Sequence, residues 1–279
     1  MIEIVAPGPL ATVQDLGRSG YAALGVARAG AFDRAALRLG NRLVGNADDA
    51  AAIEVTLGGL AVRLLAPATI ALTGAVCRGA PDWGAAVSLP ADTTFRLTAP
   101  AHGLRSYLAV RGGIAVPPVL GSRSTDTLSG IGPAALRAGD RLPIGTYGGP
   151  VVGASAAEPA PRTVLPVRFG PRDDWFTGAA RAALLATTWT VRPECDRVGV
   201  RLHGPSLARS RADELPSEPM LPGAVQVPPD GRPIVFGPDA PVTGGYPVIA
   251  VVIDLDPVAQ LRPGDSVRFR SGSDPGSST

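Results

Sequence analysis

Apolar residues along the chain come in short aliphatic and β-branched runs, each bounded by glycine, proline or Asp-containing turns. That pattern predicts many short strands joined by tight connections. Strand-like runs fall at 54–66 (EVTLGGLAVRLLA), 68–75 (ATIALTGA), 93–99 (TTFRLTA), 105–114 (RSYLAVRGGI), 164–170 (VLPVRFG), 188–193 (TWTVRP), 197–204 (RVGVRLHG), 231–237 (GRPIVFG) and 246–254 (YPVIAVVID). Two segments switch to helical spacing. In GAFDRAALRLGNRLVGN (30–46), Asp33 suits the N-cap, Phe32 and Leu37 sit at the staple positions, and Ala36, Leu39 and Leu43 share a face. Gly45-Asn46 supplies the stop. In PRDDWFTGAARAALLA (171–186), Asp173 is the expected cap, with Trp175, Ala179 and Ala183 on one face.

A weak internal repeat organises these elements. LRAGDRLPI (136–144) and LRPGDSVRF (261–269) each couple a turn to a strand-like end, and the segment between them at 146–161 is rich in small residues, Gly and Pro. Each half carries one capped helix. The chain therefore reads as mainly β and duplicated: a first domain at 1–145, a linker at 146–162, a second domain at 163–270 and a disordered tail at 271–279. A common strand-ending turn also explains the repeat without duplication.

Composition narrows the chemistry. Formal net charge is +2, and all 26 basic residues are arginine. A chain without lysine forms no Schiff base, carries no biotinyl-lysine and completes no P-loop. Cys77 and Cys195 stand apart, with only His102 and His203 to join them, so no zinc site is expected. No basic stripe accompanies stacking aromatics, so nucleic acid is not an expected partner. The start MIEIVAPGPL lacks the pattern of a signal peptide, and no apolar stretch reaches the ~20 residues of a membrane span. A cytoplasmic protein is the expectation.

Four glycine-containing polar segments carry candidate chemistry. TVQDLGRSGY (12–21) crowds Gln14, Asp15 and Arg18 beside Gly17 and Gly20, as a ligand loop or as a capped turn. In 107–127, Arg123 and Ser124 place a guanidinium fork and a hydroxyl on a flexible loop, a combination that binds carboxylate or phosphate. The adjoining SGIGPAALRAGD matches a dinucleotide fingerprint only superficially, because it leads into a turn and not a helix. ECDRVGVRL (194–202) contributes Asp196 and Arg197. The last segment, 217–247, holds Glu218, Gln226, Asp239 and Thr243, where a carboxylate beside an amide could do acid–base work on an amide or carboxyl substrate. Its end, VTGGYP, reads either as a stiff turn or as a binding loop, in which Gly244 and Gly245 admit a ligand and Tyr246 leads into the strand.

In chain order, TVQDLGRSGY, GVARAGAFDRAALRLGNRLVGN, EVTLGG, SYLAVRGGIAVPPVLGSRSTDT, CDRVGVRLHGP, GAVQVPPDGRPIV and VTGGYPVIA resemble the 5-oxoprolinase C-type subunit family, also described as allophanate hydrolase subunit 2 or the biotin-dependent carboxyltransferase family. The resemblance runs from about residue 3 to 270. It implies two cyclophilin-like β-barrel domains and an obligate complex with two companions, a smaller B-type one and an A-type one. Together these open 5-oxo-L-proline to L-glutamate with ATP as co-substrate. In a fused relative, the corresponding barrels transfer a carboxyl group from biotin to urea; here any biotin would arrive on another polypeptide. The implied site has Glu218 and Asp239 as acid–base candidates. Arg123, Ser124, Asp196, Arg197, Gln226, Thr243, Gly244, Gly245 and Tyr246 would hold the small-molecule substrate. The alternatives are a carboxyltransferase half-site and a non-catalytic regulatory subunit. The chain departs from the family pattern at Pro241-Val242, where Gln-Thr is usual, at Pro219 in place of Gly, and at Cys195 and Val198, where Ser and Met are usual.

Overall fold

A computed structural model describes residues 1–78, 81–146, 149–153, 155–211 and 213–272. The chain forms two compact units, one of residues 1–21 and 28–161, the other of residues 22–27 and 162 onward. The architecture is mainly β, as the strand-and-turn pattern predicts.

The first unit contains β1 (Ile2–Pro7), β2 (Leu10–Gln14), α1 (Arg34–Leu43), β3 (Ala52–Thr56), β4 (Leu60–Leu64), β5 (Ala68–Gly74), β6 (Ala86–Leu89), β7 (Thr94–Arg96), β8 (Arg105–Val110) and β9 (Arg141–Leu142). They form a four-stranded sheet, β7-β4-β1-β9, and a five-stranded sheet, β2-β3-β8-β5-β6. Ile2, Ile4, Val62 and Leu64 from the first sheet and Val13, Ile53, Leu72 and Leu108 from the second share one buried cluster. Strand alternation thus fills a common core from both sides.

Helix α1 begins as its sequence dictates. The Asp33 carboxylate accepts the Ala36 N–H at 2.8 Å, and the flanking Phe32 and Leu37 are both buried. It ends in the paired hydrogen bonds of a Schellman turn, Asn46 N–H to Asn41 C=O and Gly45 N–H to Arg42 C=O. Residues 147, 148 and 154 of the expected linker lie outside the described residues. Of the rest, Val152 donates to Leu43 C=O and Ala156 to Gly84 C=O, so this segment is tied to the first unit by backbone bonds.

The second unit contains β10 (Val164–Phe169), α2 (Gly178–Ala186), β11 (Trp189–Val191), β12 (Gly199–His203), β13 (Glu218–Pro219), β14 (Ala224–Gln226), β15 (Ile234–Phe236), β16 (Thr243–Gly244), β17 (Val248–Val252), α3 (Asp256–Ala259) and β18 (Ser266–Ser271). Seven strands close a barrel in the order β10-β17-β14-β15-β12-β11-β18, with β18 parallel to β10, and β13 and β16 form a separate two-stranded ribbon. Ser271 ends β18, and the expected tail from residue 273 onward lies outside the described residues.

Helix α2 starts later than its sequence suggests. Thr177, not Asp173, is the N-cap, its hydroxyl accepting the Ala180 N–H at 3.1 Å. The buried positions are Ala180 and Leu184; Ala179 is exposed. The cause is tertiary: Trp175 and Phe176 are both buried, and Phe176 needs an extended backbone to be so. Asp173 instead starts a 3-10 turn and pairs with Arg181.

The repeated turn is the same object in both units. Asp140 Oδ2 accepts the Arg137 N–H at 2.7 Å, and Asp265 Oδ2 accepts the Arg262 N–H at 2.8 Å. Gly139 and Gly264 both sit at positive φ, 91° and 89°, which glycine alone adopts without strain. Gly139 N–H and Asp140 C=O bond the backbone of Ile4, as Gly264 N–H and Asp265 C=O bond that of Val191.

A buried polar knot sits where α1 meets its sheet. Glu54 Oε2 accepts the Tyr107 hydroxyl at 2.7 Å and the Phe32 N–H at 3.0 Å, and the same hydroxyl accepts the Asp33 N–H at 2.8 Å. Arg105 lies 3.5 Å from Glu54 and over the Phe32 ring. Burial first, then the Glu54 and Asp33 charges, push the Tyr107 phenol well above the usual tyrosine range. A folded-state value raised above the unfolded one gives stability fully present below the unfolded value of about 10 and lost as pH rises through the folded one. A tyrosinate absorbance titration run beside circular dichroism is expected to show the Tyr107 step only together with alkaline unfolding. Tyr107→Phe removes that step and destabilises the fold by about 1–3 kcal/mol, because the Asp33 N–H loses its acceptor.

Candidate functional site

In the first unit, the 107–127 loop closes on Asp15. This buried carboxylate accepts the Ser122 hydroxyl at 2.6 Å, the Ser124 hydroxyl at 2.5 Å and the Gly17 N–H at 2.7 Å on Oδ1, and the Arg123 N–H at 2.6 Å on Oδ2. Ser124 also accepts the Asp15 N–H and is fully buried. Ser124 therefore fastens the loop and offers nothing to a ligand. Arg123 is half-buried, and its Nε donates to Val116 C=O at 2.7 Å. Its terminal amines make no hydrogen bond among the described residues, which leaves them able to meet an anion. Arg18 runs beneath the loop and donates to the carbonyls of Ser124 and Val119.

In the second unit, Arg197 and Asp239 form a bidentate ion pair, Nε to Oδ2 at 2.9 Å and Nη2 to Oδ1 at 3.0 Å, with 1% and 0% of the side chains exposed. The geometry corrects the two roles anticipated for them. Asp239 is sealed from solvent and committed to Arg197, so it is no free acid or base, and Arg197 has no charge to spare for a substrate. The pair instead pins the loop before β16 to the turn before β12. Asp196 is exposed, and its Oδ1 accepts the Val198 and Gly199 N–H groups, shaping that turn.

The groups that do converge surround the β13–β16 ribbon. Glu218 pairs with Gly244 and Pro219 with Thr243, and Met220 N–H extends the ladder to Val242 C=O. Glu218 is gripped by Arg172, whose Nε lies 2.9 Å and 3.1 Å from the two carboxylate oxygens and whose Nη2 donates to Oε1. The Glu218 carboxylate in turn raises the Arg172 guanidinium above its ordinary value. Gln226 is buried to 5% exposure and donates to Tyr246 C=O at 3.2 Å. Thr243, Gly245 and Tyr246 are exposed, and Arg209 lies over the Tyr246 ring.

Gly244 packs closely against two side-chain ends. A Cβ there would lie 2.5 Å from Met220 Cε and 2.7 Å from Gln226 Nε2, so a larger residue would push these two side-chain ends aside, the Gln226 amide included. A Cβ on Gly245 would meet only Leu215 C=O at 3.7 Å, an ordinary contact. The assembled set is a carboxylate held by an arginine, a primary amide, an exposed hydroxyl and an aromatic ring flanked by a second arginine. Such a set can orient a small polar amide or carboxylate by hydrogen bonds. Arg172 was not among the sequence candidates; it stands 46 positions from Glu218, and no local pattern joins them.

The comparisons with known proteins agree with this architecture. Residues 24–271 match the model of the carboxyltransferase domain, subdomain A and B. The chain belongs to this family. Among its relatives, the carboxyltransferase-domain chain is 42% identical to the C-type subunit of 5-oxoprolinase from Escherichia coli (strain K12), over 96% of this chain and 90% of that one. It is 33% identical to urea amidolyase of Saccharomyces cerevisiae, over 96% of this chain but only 16% of that one. The crystal structure of the K. lactis urea amidolyase superposes with a TM-score of 0.90 at 29% identity, covering 98% of this chain and 19% of that chain.

Two substitutions separate scaffold from surface. Asp239→Ala takes the bidentate carboxylate away from the buried Arg197 and is expected to cost about 3–5 kcal/mol in urea unfolding. Glu218→Gln loosens a half-exposed pair and is expected to leave the urea midpoint near that of the unsubstituted chain.

Proposed function

We propose that this chain is the C-type subunit of an ATP-dependent 5-oxoprolinase, acting in the cytoplasm with a smaller B-type and an A-type companion to convert 5-oxo-L-proline to L-glutamate. The observation that carries the reading is the 42% identity to the C-type 5-oxoprolinase subunit of Escherichia coli (strain K12) across nearly the full length of both chains. A five-membered lactam is a poor electrophile. Transfer of the terminal phosphoryl group of ATP to its amide oxygen activates the carbon; one water adds there, the ring C–N bond breaks as the nitrogen takes up a proton, and a second water hydrolyses the resulting acyl phosphate to the glutamate carboxylate and phosphate. On this chain, Gln226 and Thr243 supply hydrogen bonds to the amide and carboxylate of the substrate, and Arg172 holds Glu218 in place beside them. The ATP site lies with, or between, the companion subunits.

A carboxyltransferase role is the second reading, favoured by the family match and by the similarity to urea amidolyase. On that reading a biotin carrier on another polypeptide is needed, since this chain has no lysine to bear one.

Glutamate release from 5-oxo-L-proline and ATP by the three reconstituted subunits, beside a mixture lacking only this chain, tests the proposal. Release is expected to vanish on omission and to fall about tenfold or more with Gln226→Ala, the loss of one hydrogen bond to a charged or polarised group. Subunits that associate yet release no glutamate would sink it and turn the test to a biotinylated carrier and urea.

A further inference from the structure

The second unit carries a cleft away from the β13–β16 ribbon. It is an open cleft of about 110 Å³, lined by Arg192, Arg201, Arg232 and Asp230, with Pro233 and Ile234 among its apolar walls. We infer that this cleft binds a doubly charged oxyanion, a phosphate group, through Arg201 and Arg232.

Charge is the first argument. Arg192 is paired with Glu194 at 3.2 Å, whereas Arg201 and Arg232 form no salt bridge among the described residues. Asp230 stands in the cleft wall, its Oδ1 accepting the Arg232 N–H at 3.1 Å, and the Glu194 charge also reaches Arg201, so three guanidiniums face two carboxylates and positive charge remains in excess. Guanidinium groups repel one another, and a fold that gathers three around one concavity gains when an anion enters. The forks of Arg201 and Arg232, which make no side-chain hydrogen bond among the described residues, match the several acceptor oxygens of a phosphate.

Preorganisation is the second. Arg201 stands opposite Ile234 in the β12–β15 ladder, and Leu202 N–H bonds Pro233 C=O at 3.0 Å. Arg192 N–H donates to Arg201 C=O at 2.9 Å, which sets the two arginines side by side. The Cys195 thiol clips the same corner, accepting the Arg201 N–H at 3.2 Å and donating to Arg192 C=O at 3.0 Å. The Pro228–Gly231 turn is closed by its own backbone bond. The arginines thus project from backbone that is fixed before any ligand arrives, which lowers the ordering cost of binding. The inference stands independently of the oxoprolinase reading, since neither Gln226 nor Glu218 lines the cleft.

Isothermal titration calorimetry of the full chain with inorganic phosphate, against chloride at matched ionic strength, tests it. Saturable binding is expected, weakened about tenfold by Arg201→Gln and by Arg232→Gln, the loss of one charge-assisted contact each. Arg137→Gln, on an exposed turn of the first unit, is expected to bind as the unsubstituted chain does. Both cleft residues are solvent-accessible, so the variants are expected to fold, and a phosphate-induced rise in melting temperature that both lose gives a second readout. Competition by ATP extends the site to nucleotide phosphate tails, and binding without such competition restricts it to the free ion; either supports the inference. Absence of saturable binding at millimolar phosphate, or binding that survives both substitutions, overturns it.

Discussion

A carboxylate removed from water must find its counter-charge or its hydrogen-bond donors inside the chain, and each unit is arranged around that requirement. Asp239 meets it with a single arginine, Asp15 with two serine hydroxyls and two backbone N–H groups, and Glu54 with Tyr107, Arg105 and a backbone N–H. Each solution joins segments far apart in the chain: 42 residues for Arg197 and Asp239, 109 for Asp15 and Ser124. The loops so fastened are the ones that bear the exposed polar groups. Their rigidity comes from buried charge, with apolar packing filling the space between.

This explains which parts of the site the sequence disclosed. The segments around Asp15, Arg197, Gln226 and Thr243 stood out because glycine and polar residues crowd together there, and all of them shape loops or the ribbon. Their division of labour was not visible. A loop aspartate reads the same whether it faces water or an arginine, and Asp239 proved fully buried. Ser124 looked available because its neighbours are flexible; its partner Asp15 lies far back in the sequence. The grip of Arg172 on Glu218 left no trace in either segment.

Secondary structure divides along the same line. The cap, staple and stop of α1 all lie within 30–46, so local chemistry sufficed. The start of α2 depended on where Trp175 and Phe176 had to be buried, which no local motif encodes, and the cap moved from Asp173 to Thr177. Strands such as β5, β8, β10, β12 and β17 were legible because alternation and punctuation are short-range signals, whereas β1, β2, β6 and β14 and the β13–β16 ribbon lie outside the strand-like runs. Closure of the second unit into a barrel is a property of pairing order, which those signals do not contain.

The first and last strands of each unit are hydrogen-bonded neighbours: β1 with β9, and β10 with β18. In each unit the entering and leaving chain therefore run side by side. A module of that kind can be spliced into a longer polypeptide, or stand free of one, without pulling its fold open, because the strand at each end is itself held in the ladder by the other. The same portability is written in the relatives, where a chain of this length appears both as nearly the whole of one protein and as a sixth of another.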